Sequence, residues 1–462
     1  MFELIGIGKS ALQVNKKQLE IIGNNIANVN TPGYSRQRAV QDQATSIRDA
    51  LGSIGQGTVI NRIERMRDER LDDQYWKKQT DVGYWEAKSQ NLQELEAQLQ
   101  EPSDNGLTEL FNKFWNSWDN LSNNPDGPSG DVMRISLIQN TKNLTSRLNE
   151  VANSVIDKRK EINNRISSDV DKLNSLFSDL STLNIRIEES KANGQDCGSL
   201  LDQYDKKLDE LTKYGNTKLI TRNDGIRIIY FGSDEVVKGA EYRKLEALTD
   251  SYSESGFNRS KVVWSDNLKE VNNLKNGKLK ALESLRDTDM KSYKDYLDTI
   301  ANTLVSKINE LHSSGYDLQD PPGTGHNFFD EKTTGAQDIK IDSILEANPE
   351  FISASKTGET GDNQVALEIS QLRNGSSIGD DSFQEYYAKF LNQIGSDSDN
   401  AQNQEKIQNA TSNQIDTFRE NVKGVSIDEE TANLIAYQQA YQAAAKIIAT
   451  ANQIMDVIMQ MV

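Results

Sequence analysis

The chain has one cysteine, Cys197, in 462 residues. A single thiol excludes an internal disulfide framework and any zinc site built on cysteines, so stability must come from packing or assembly. Proline is nearly as scarce, with seven residues and none beyond Pro349, and little therefore interrupts helix in the last quarter of the chain. Aromatics make up 7% and apolar residues 35%, which favours long helices with narrow apolar stripes over one thick globule. No apolar run approaches the ~18 residues of a membrane span. The best stretch, Leu434–Val462, is broken by Lys446, Asp456 and several glutamines. Lys9, Asn15, Lys16 and Lys17 interrupt the apolar residues after Met1, so no cleavable secretory signal is expected.

Positive charge is in deficit too: 52 Lys plus Arg stand against 70 Asp plus Glu, a net charge of −18. Such a field repels phosphates, which excludes nucleic acid and anionic membrane as partners. The acidity is uneven. Residues 1–60 hold six basic and four acidic residues, and 425–462 hold one and four. Near-neutral ends on an acidic middle suggest that the ends are buried against something.

Catalytic and metal-binding patterns are missing as well. There is no nucleophile elbow, no metalloprotease helix motif and no phosphate-binding lysine loop, and no carboxylate spacing picks out a glycosidase pair. His312 and His326 have no second His or Cys at ligand spacing, and a structural role fits them better than zinc. Asp397–Asn400 hints at a calcium loop, but Gln402 and Gln408 occupy the positions of its turn glycine and terminal glutamate. Cys197 has no histidine partner in sequence and reads as inert. Phe111, Phe114, Trp115 and Trp118, at helical spacing, read as core rather than a stacking site. No enzyme, cofactor or metal is expected.

What is present is periodicity. Ile427, Leu434, Tyr441, Ile448, Met455 and Val462 recur every seven residues, with Tyr437, Ala444, Ala451 and Ile458 between them. This is a helical seam that needs a neighbour. Gly424 precedes it, and Ser426 with Glu429 forms a capping-box pattern. Ala443, Ala444, Ala445 and Ala449 beside the seam permit close helix approach. Ile5, Leu12, Leu19 and Ile26, with Ile22 and Val29, repeat the idea at the N-terminus. That helix must stop near Asn30, because Pro32 and Gly33 follow.

Between the ends the spacing predicts an extended stretch over 34–67 and helices over 65–100 (before Pro102), 107–121, 131–192, 200–214, 268–282, 290–312, 382–395 and 401–422. Lys218–Arg222 and Ile226–Phe231 flank Asn223-Asp224-Gly225, a hairpin signal that opens a β-rich insertion reaching Trp264. The fold expected is mainly α with a β insertion: a terminal coiled coil (1–60 plus 424–462), a long helical bundle forming a rod (61–215, 265–313 and 375–423), and a small outer β-containing domain (216–264 plus 314–374).

Four blocks carry a family resemblance. Asn24-Asn25-Ile26-Ala27-Asn28-Val29-Asn30-Thr31-Pro32-Gly33-Tyr34-Ser35-Arg36-Gln37 resembles the N-terminal signature of flagellar axial proteins, and its Ser-Arg-Gln ending resembles their hook-associated branch. Phe111–Pro125, Asn302–Gly315 and Val425–Met455 are similar to further blocks of that branch, in the same order. Ser117 departs from the usual alanine. The resemblance implies a non-enzymatic subunit joining hook to filament, assembling as a ring with copies of itself through its terminal helices. A polymerisation seam would comprise Leu12, Leu19, Ile22 and Ile26 with Leu434, Tyr437, Tyr441, Ile448, Met455 and Ile458. Implied partners are the hook protein, the next hook-associated protein, a cytoplasmic export chaperone and the flagellar type III export apparatus. The alternative within the family is a hook or distal rod subunit.

Overall fold

The computed structural model describes residues 2–461, except 46, 50, 51, 100, 102, 104, 105, 255, 256 and 320. Gln100, Pro102 and Val462 of the sequence expectations lie outside the described residues. Helix α1 (Phe2–Ala27) leads into a ribbon of β1 (Gln37–Gln43) and β4 (Thr58–Arg65), with a short hairpin of β2 (Ile47–Asp49) and β3 (Gly52–Ile54) at its tip. Gln37 pairs with Arg65 and Gln43 with Thr58, around a bulge at Val40/Gln41.

The body is helical: α2 (Glu69–Leu99), α3 (Leu107–Asn123), α4 (Gly127–Ala192) and α5 (Gly198–Thr212). With Pro128 in its first turn and no later proline, α4 runs unbroken for 66 residues, roughly 100 Å at 1.5 Å per residue. Leu137, Leu144, Leu148, Val155, Ile162, Ile166, Leu173, Phe177 and Leu180 keep one face at or below 2% exposure along most of that length. Helices α2, α3 and α5 pack directly on this spine.

The β insertion is a meander of β5 (Thr217–Thr221), β6 (Arg227–Phe231), β7 (Asp234–Lys238) and β8 (Glu241–Tyr242), followed by the hairpin β9 (Leu245–Glu254) and β10 (Phe257–Trp264). The expected turn is there, with Gly225 at φ +86°, a conformation that only glycine adopts cheaply. The sheet lies against the second half of α4. Asn174 exchanges two hydrogen bonds with the Leu245 backbone (2.9 and 2.8 Å), Asn184 donates to Gly239 O (3.1 Å), and Phe231 meets Phe177 edge-on at 5.9 Å.

Then come α6 (Lys278–Ser284), a π-turn (Leu285–Asp289) and α7 (Met290–Ser314). The π-turn frees the Arg286 carbonyl, which accepts Arg159 Nε at 3.0 Å. The helix expected from Leu268 begins only at Lys278. Asp234 holds Asn272 through its backbone and side chain (both 2.9 Å), and Gly277 takes φ +98°, so the preceding residues stay in turns.

Segment 314–374 carries α8 (Ser343–Ala347) and α9 (Gln364–Gln371). Residues 216–264, expected to share an outer domain with it, meet α4 elsewhere. Segment 314–374 covers α3 and the first part of α4, with Arg134 Nε donating to Ile352 O (3.1 Å) and Asn149 to Ile339 O (3.2 Å). The β insertion covers the next stretch of α4, from Asn163, which exchanges hydrogen bonds with Ser260 (3.1 and 2.8 Å), to Asn184.

The last two helices are α10 (Phe383–Lys423) and α11 (Ile427–Met461). The expected break at Gly395 is absent. Ser382 and Glu385 form a full capping box at the start of α10, and Asp397 sits mid-helix accepting the Tyr293 hydroxyl at 2.7 Å, so Asp397–Asn400 is no calcium loop.

The α3 aromatics are core: Phe111, Phe114, Trp115 and Trp118 are each at most 1% exposed. His312 is buried beside them, 5.4 Å from the Phe328 ring. Its Nδ1 donates to His326 O (2.7 Å) and its Nε2 accepts Ser353 N–H (3.0 Å), a pattern that needs the neutral ring. Burial pushes its pKa down to about 4, below the ordinary unfolded value of ~6.5. The unfolded chain therefore takes up this proton first, and stability drains as pH falls from about 6.5 to 4, by up to about 3 kcal/mol. In chemical denaturation, His312→Gln should be less stable than the parent at pH 7. That gap should shrink toward pH 4, since the variant cannot lose the same term.

Candidate functional site

The site is the region where the two chain ends meet the helical body. Helices α1 and α11 lie side by side and antiparallel. A side chain added at Gly8 would meet Ile448 Cγ1 at 2.7 Å, while Asn25 at the other end of α1 donates to Glu430 Oε2 at 3.1 Å. Gly8, a flaw in the heptad pattern, is what lets the two backbones approach.

The signature residues build the turn that follows. Asn28 Nδ2 caps back onto Asn24 O and Oδ1 (both 2.9 Å). Thr31-Pro32-Gly33-Tyr34 closes a turn with Tyr34 N donating to Thr31 O (3.1 Å) and Gly33 at φ +84°. Proline then glycine at the central positions is the type II pattern.

Asn25 is the hub. It is 1% exposed and makes four hydrogen bonds. Its Oδ1 accepts Gln37 N–H and the Tyr34 hydroxyl (both 2.9 Å), and its Nδ2 donates to Gln37 O (3.0 Å) and Glu430. The amide thus stands in for a strand partner to Gln37 while reaching the opposite terminal helix, with all its capacity used.

Arg36 completes the knot. Its Nε bonds Glu430 Oε1 and its Nη1 bonds Glu429 Oε2, both at 2.7 Å, and its backbone N donates to Lys423 O at 2.8 Å. Glu430 is 2% exposed and remains tolerable there because two donors meet it. Glu429 is therefore spent on Arg36. The expected Ser426 cap is only half formed, by Glu429 N to Ser426 Oγ at 3.4 Å. Burial, then Asp202, Glu430 and Asp196, raise the Tyr34 phenol to about 12. Asn30, Thr31 and Pro32 are exposed on the rim of a polar cleft of about 540 Å³ that Glu420, Asn421 and Ser426 close on the other side.

Sequence reasoning missed a belt of ion pairs beneath this knot. Arg65 Nη1 bonds Asp202 and Asp205 (both 2.7 Å), Arg67 bonds Asp205 (2.5 Å) and Asp72 (2.7 Å), and Arg419 bonds Asp72 (2.8 Å) and Asp209 (3.3 Å). Ser35 N joins through Asp202 at 3.1 Å. Burial alone would raise Asp72, but the hydrogen bonds and charges of Arg67 and Arg419 hold it below the usual range. At Asp209 burial wins, and its pKa is raised despite Arg419. The spacing of Asp202, Asp205 and Asp209 on one helical face was a readable signal. Their partners, more than a hundred residues away, were not.

The expected seam is partly covered. Ile22 is buried and Leu12, Leu19 and Ile26 are half-buried, as are Leu434, Tyr437, Tyr441, Ile448 and Met455, while Ile458 is 48% exposed. On α1 the buried face is Val14, Gln18, Ile21, Ile22 and Asn25, because the β1–β4 ribbon, unforeseen as a packing layer, covers it. Gln18 donates to Ala39 O at 3.4 Å. Helix α11 also carries a second stripe pointing outward. Ile447, Ile454 and Met461, at sevens, are 38%, 42% and 81% exposed. Among the described residues no cluster could hold a metal ion, and no helix is long and apolar enough to cross a membrane.

Removing the hub should free the ends and spare the body. In Asn25→Ala or Glu430→Ala, one or two buried donors lose their partner, at a cost of about 1–3 kcal/mol each. Hydrogen exchange should speed up through 14–43 and 427–445, with α3 and α4 protected as before. Equal acceleration in α4 would mean that the knot supports the whole fold.

Comparison with known proteins agrees with this geometry segment by segment. The family model described as the flagellar hook-associated protein FlgK helical domain matches residues 92–329. A flagella basal body rod protein model matches 5–34, and a flagellar basal body rod FlgEFG protein C-terminal model matches 421–461. Flagellar hook-associated protein 1 of Bacillus subtilis is 28% identical, covering 97% of this chain and 96% of its own length. That of Escherichia coli is 23% identical over 99% of both. The solved flagellar hook junction protein FlgK from Burkholderia pseudomallei shares the fold, with a TM-score of 0.65 at 14% identity, covering 77% of this chain and all of that one.

Proposed function

This chain belongs to the flagellar hook-associated protein FlgK family, and from that membership we propose that it is the structural subunit at the hook–filament junction, assembling through its terminal helices. The family is one of structural flagellar proteins, not enzymes, so the mechanism is mechanical. The carrying observation is the uncovered apolar face of α11. Ile447, Ile454, Ile458 and Met461 stay exposed while the same helix is already pinned to α1 and to Arg36. An apolar stripe of this length on an otherwise acidic surface calls for neighbours.

In this reading neighbouring copies cover the stripe and the rest of the seam in a ring, with hook protein on one side and the next hook-associated protein on the other. Delivery through the flagellar type III export apparatus, with a cytoplasmic chaperone shielding the ends, suits a surface that must stay unpaired until arrival. A hook or distal rod subunit is the weaker reading, because the match over 92–329 is to the hook-associated helical domain while only the ends match rod families.

Ile448 is a poor probe, since it packs against Gly8 of its own chain. Ile454 is the better one. Ile454→Asp should leave the monomer's thermal transition unchanged and the chain secreted, because the site is already exposed to water. In the assembly it would bury an unpaired carboxylate, which is costly at every copy. Electron microscopy should show hooks without filaments and flagellin in the medium. Normal filaments and swimming would sink the proposal.

A further inference from the structure

Helix α11 is longer than the helix it pairs with. Gly8 lies beside Ile448 and Asn25 beside Glu430, so counting residue for residue sets Phe2, where α1 begins, level with Ile454. Helix α11 runs on to Met461, and its last turns reach past the end of α1. What stands there is apolar and open to water: Val457, Ile458, Met459 and Met461 are 53%, 48%, 76% and 81% exposed. Met461 ends the outward stripe of Ile447 and Ile454, and Met459 lies one turn beyond Met455 of the seam.

Methionine is concentrated at this tip. Of the seven in the chain, Met455, Met459 and Met461 fall within the last eight residues. Elsewhere the thioethers are sheltered. Met290 is fully buried, and Met66 and Met133 are half-buried, as is Met455. Oxidation follows access, so a peroxide that meets the folded chain reaches Met459 and Met461 first.

We infer that Met459 and Met461 make the tip an oxidation-sensitive switch, which keeps an oxidised subunit out of the ring. The sulfur bonds to one peroxide oxygen and the O–O bond breaks. With hydrogen peroxide a molecule of water leaves, the sulfur being oxidised and the peroxide reduced. The sulfoxide is polar and chiral where the stripe is otherwise aliphatic, and an apolar neighbour that covers it leaves its oxygen without a donor. A neighbour already in place shields the sulfur, so the switch acts on the subunit awaiting assembly. Reduction of the sulfoxide resets it. The inference rests on the contact of α11 with neighbouring copies proposed above and adds how that contact is controlled.

The test uses the full-length chain with Cys197→Ser, so that no thiol competes for the oxidant. After brief treatment with hydrogen peroxide, peptide mass spectrometry should find sulfoxide at Met459 and Met461 roughly tenfold ahead of Met66, Met133 and Met290. Added to bare hooks from a strain lacking the subunit, the oxidised chain should bind roughly tenfold less than untreated chain, with no change in monomer melting. Reductases for both sulfoxide epimers should restore binding. In the double variant Met459→Leu, Met461→Leu, peroxide should leave binding where it was, whatever its starting level. Sulfoxide spread evenly over all the methionines would overturn the switch. So would oxidised chain that binds like untreated chain, or a loss that neither the reductases nor the leucine pair removes. Ile454→Asp, run beside them, reports on the assembly reading alone: normal binding by that variant sinks the reading whatever the methionines do.

Discussion

One buried amide organises the junction between the chain ends and the body. Asn25, on α1, sits where the first residue of β1 and the start of α11 converge, and its amide hydrogen-bonds both. No aliphatic residue could do this, and aspartate would face Glu430 with a second negative charge. Arg36 can satisfy Glu430 only because Asn25 and Tyr34 hold the turn between them. The ion-pair belt then joins the β1–β4 ribbon to α2, α5 and α10. Removing one member strands the others, since buried charges tolerate little slack.

The division between ends and body follows from how apolar residues are spent. Along α4 they form a face buried at nearly every turn. On α11 they occupy two stripes, and the partner helix from the same chain covers one in part. The core of the body is therefore closed within a single chain, whereas the ends hold a continuous apolar stripe in reserve.

Much of this was legible in the sequence where the signal is periodic or local. The heptads of the ends, the long α4, the Asn-Asp-Gly hairpin and the aromatic helix around Trp115 each declare themselves within a few turns. Long-range relations did not. Residues 216–264 and 314–374 cover different stretches of α4, a division that no local pattern announces. Asp397-Ser398-Asp399-Asn400 looked like a break because polar residues of that kind favour loops, but packing on α2 and α7 carries the helix through. At the site, the signature marked Asn25 and Arg36 as special without giving their roles, since Glu430 lies about four hundred positions away.

The antiparallel course of α1 and α11 has a mechanical consequence. Both helices leave the body side by side and run to a shared tip, so tension on that tip pulls both chain ends in the same direction. Within the knot, the Asn25, Arg36 and Lys423 bonds all sit at the root of this helix pair, so a pull on the tip is shared among them. A coupling that must pass torque between two polymers gains from such an attachment: no single bond is the weak link, and the joint yields only when the whole row gives way at once.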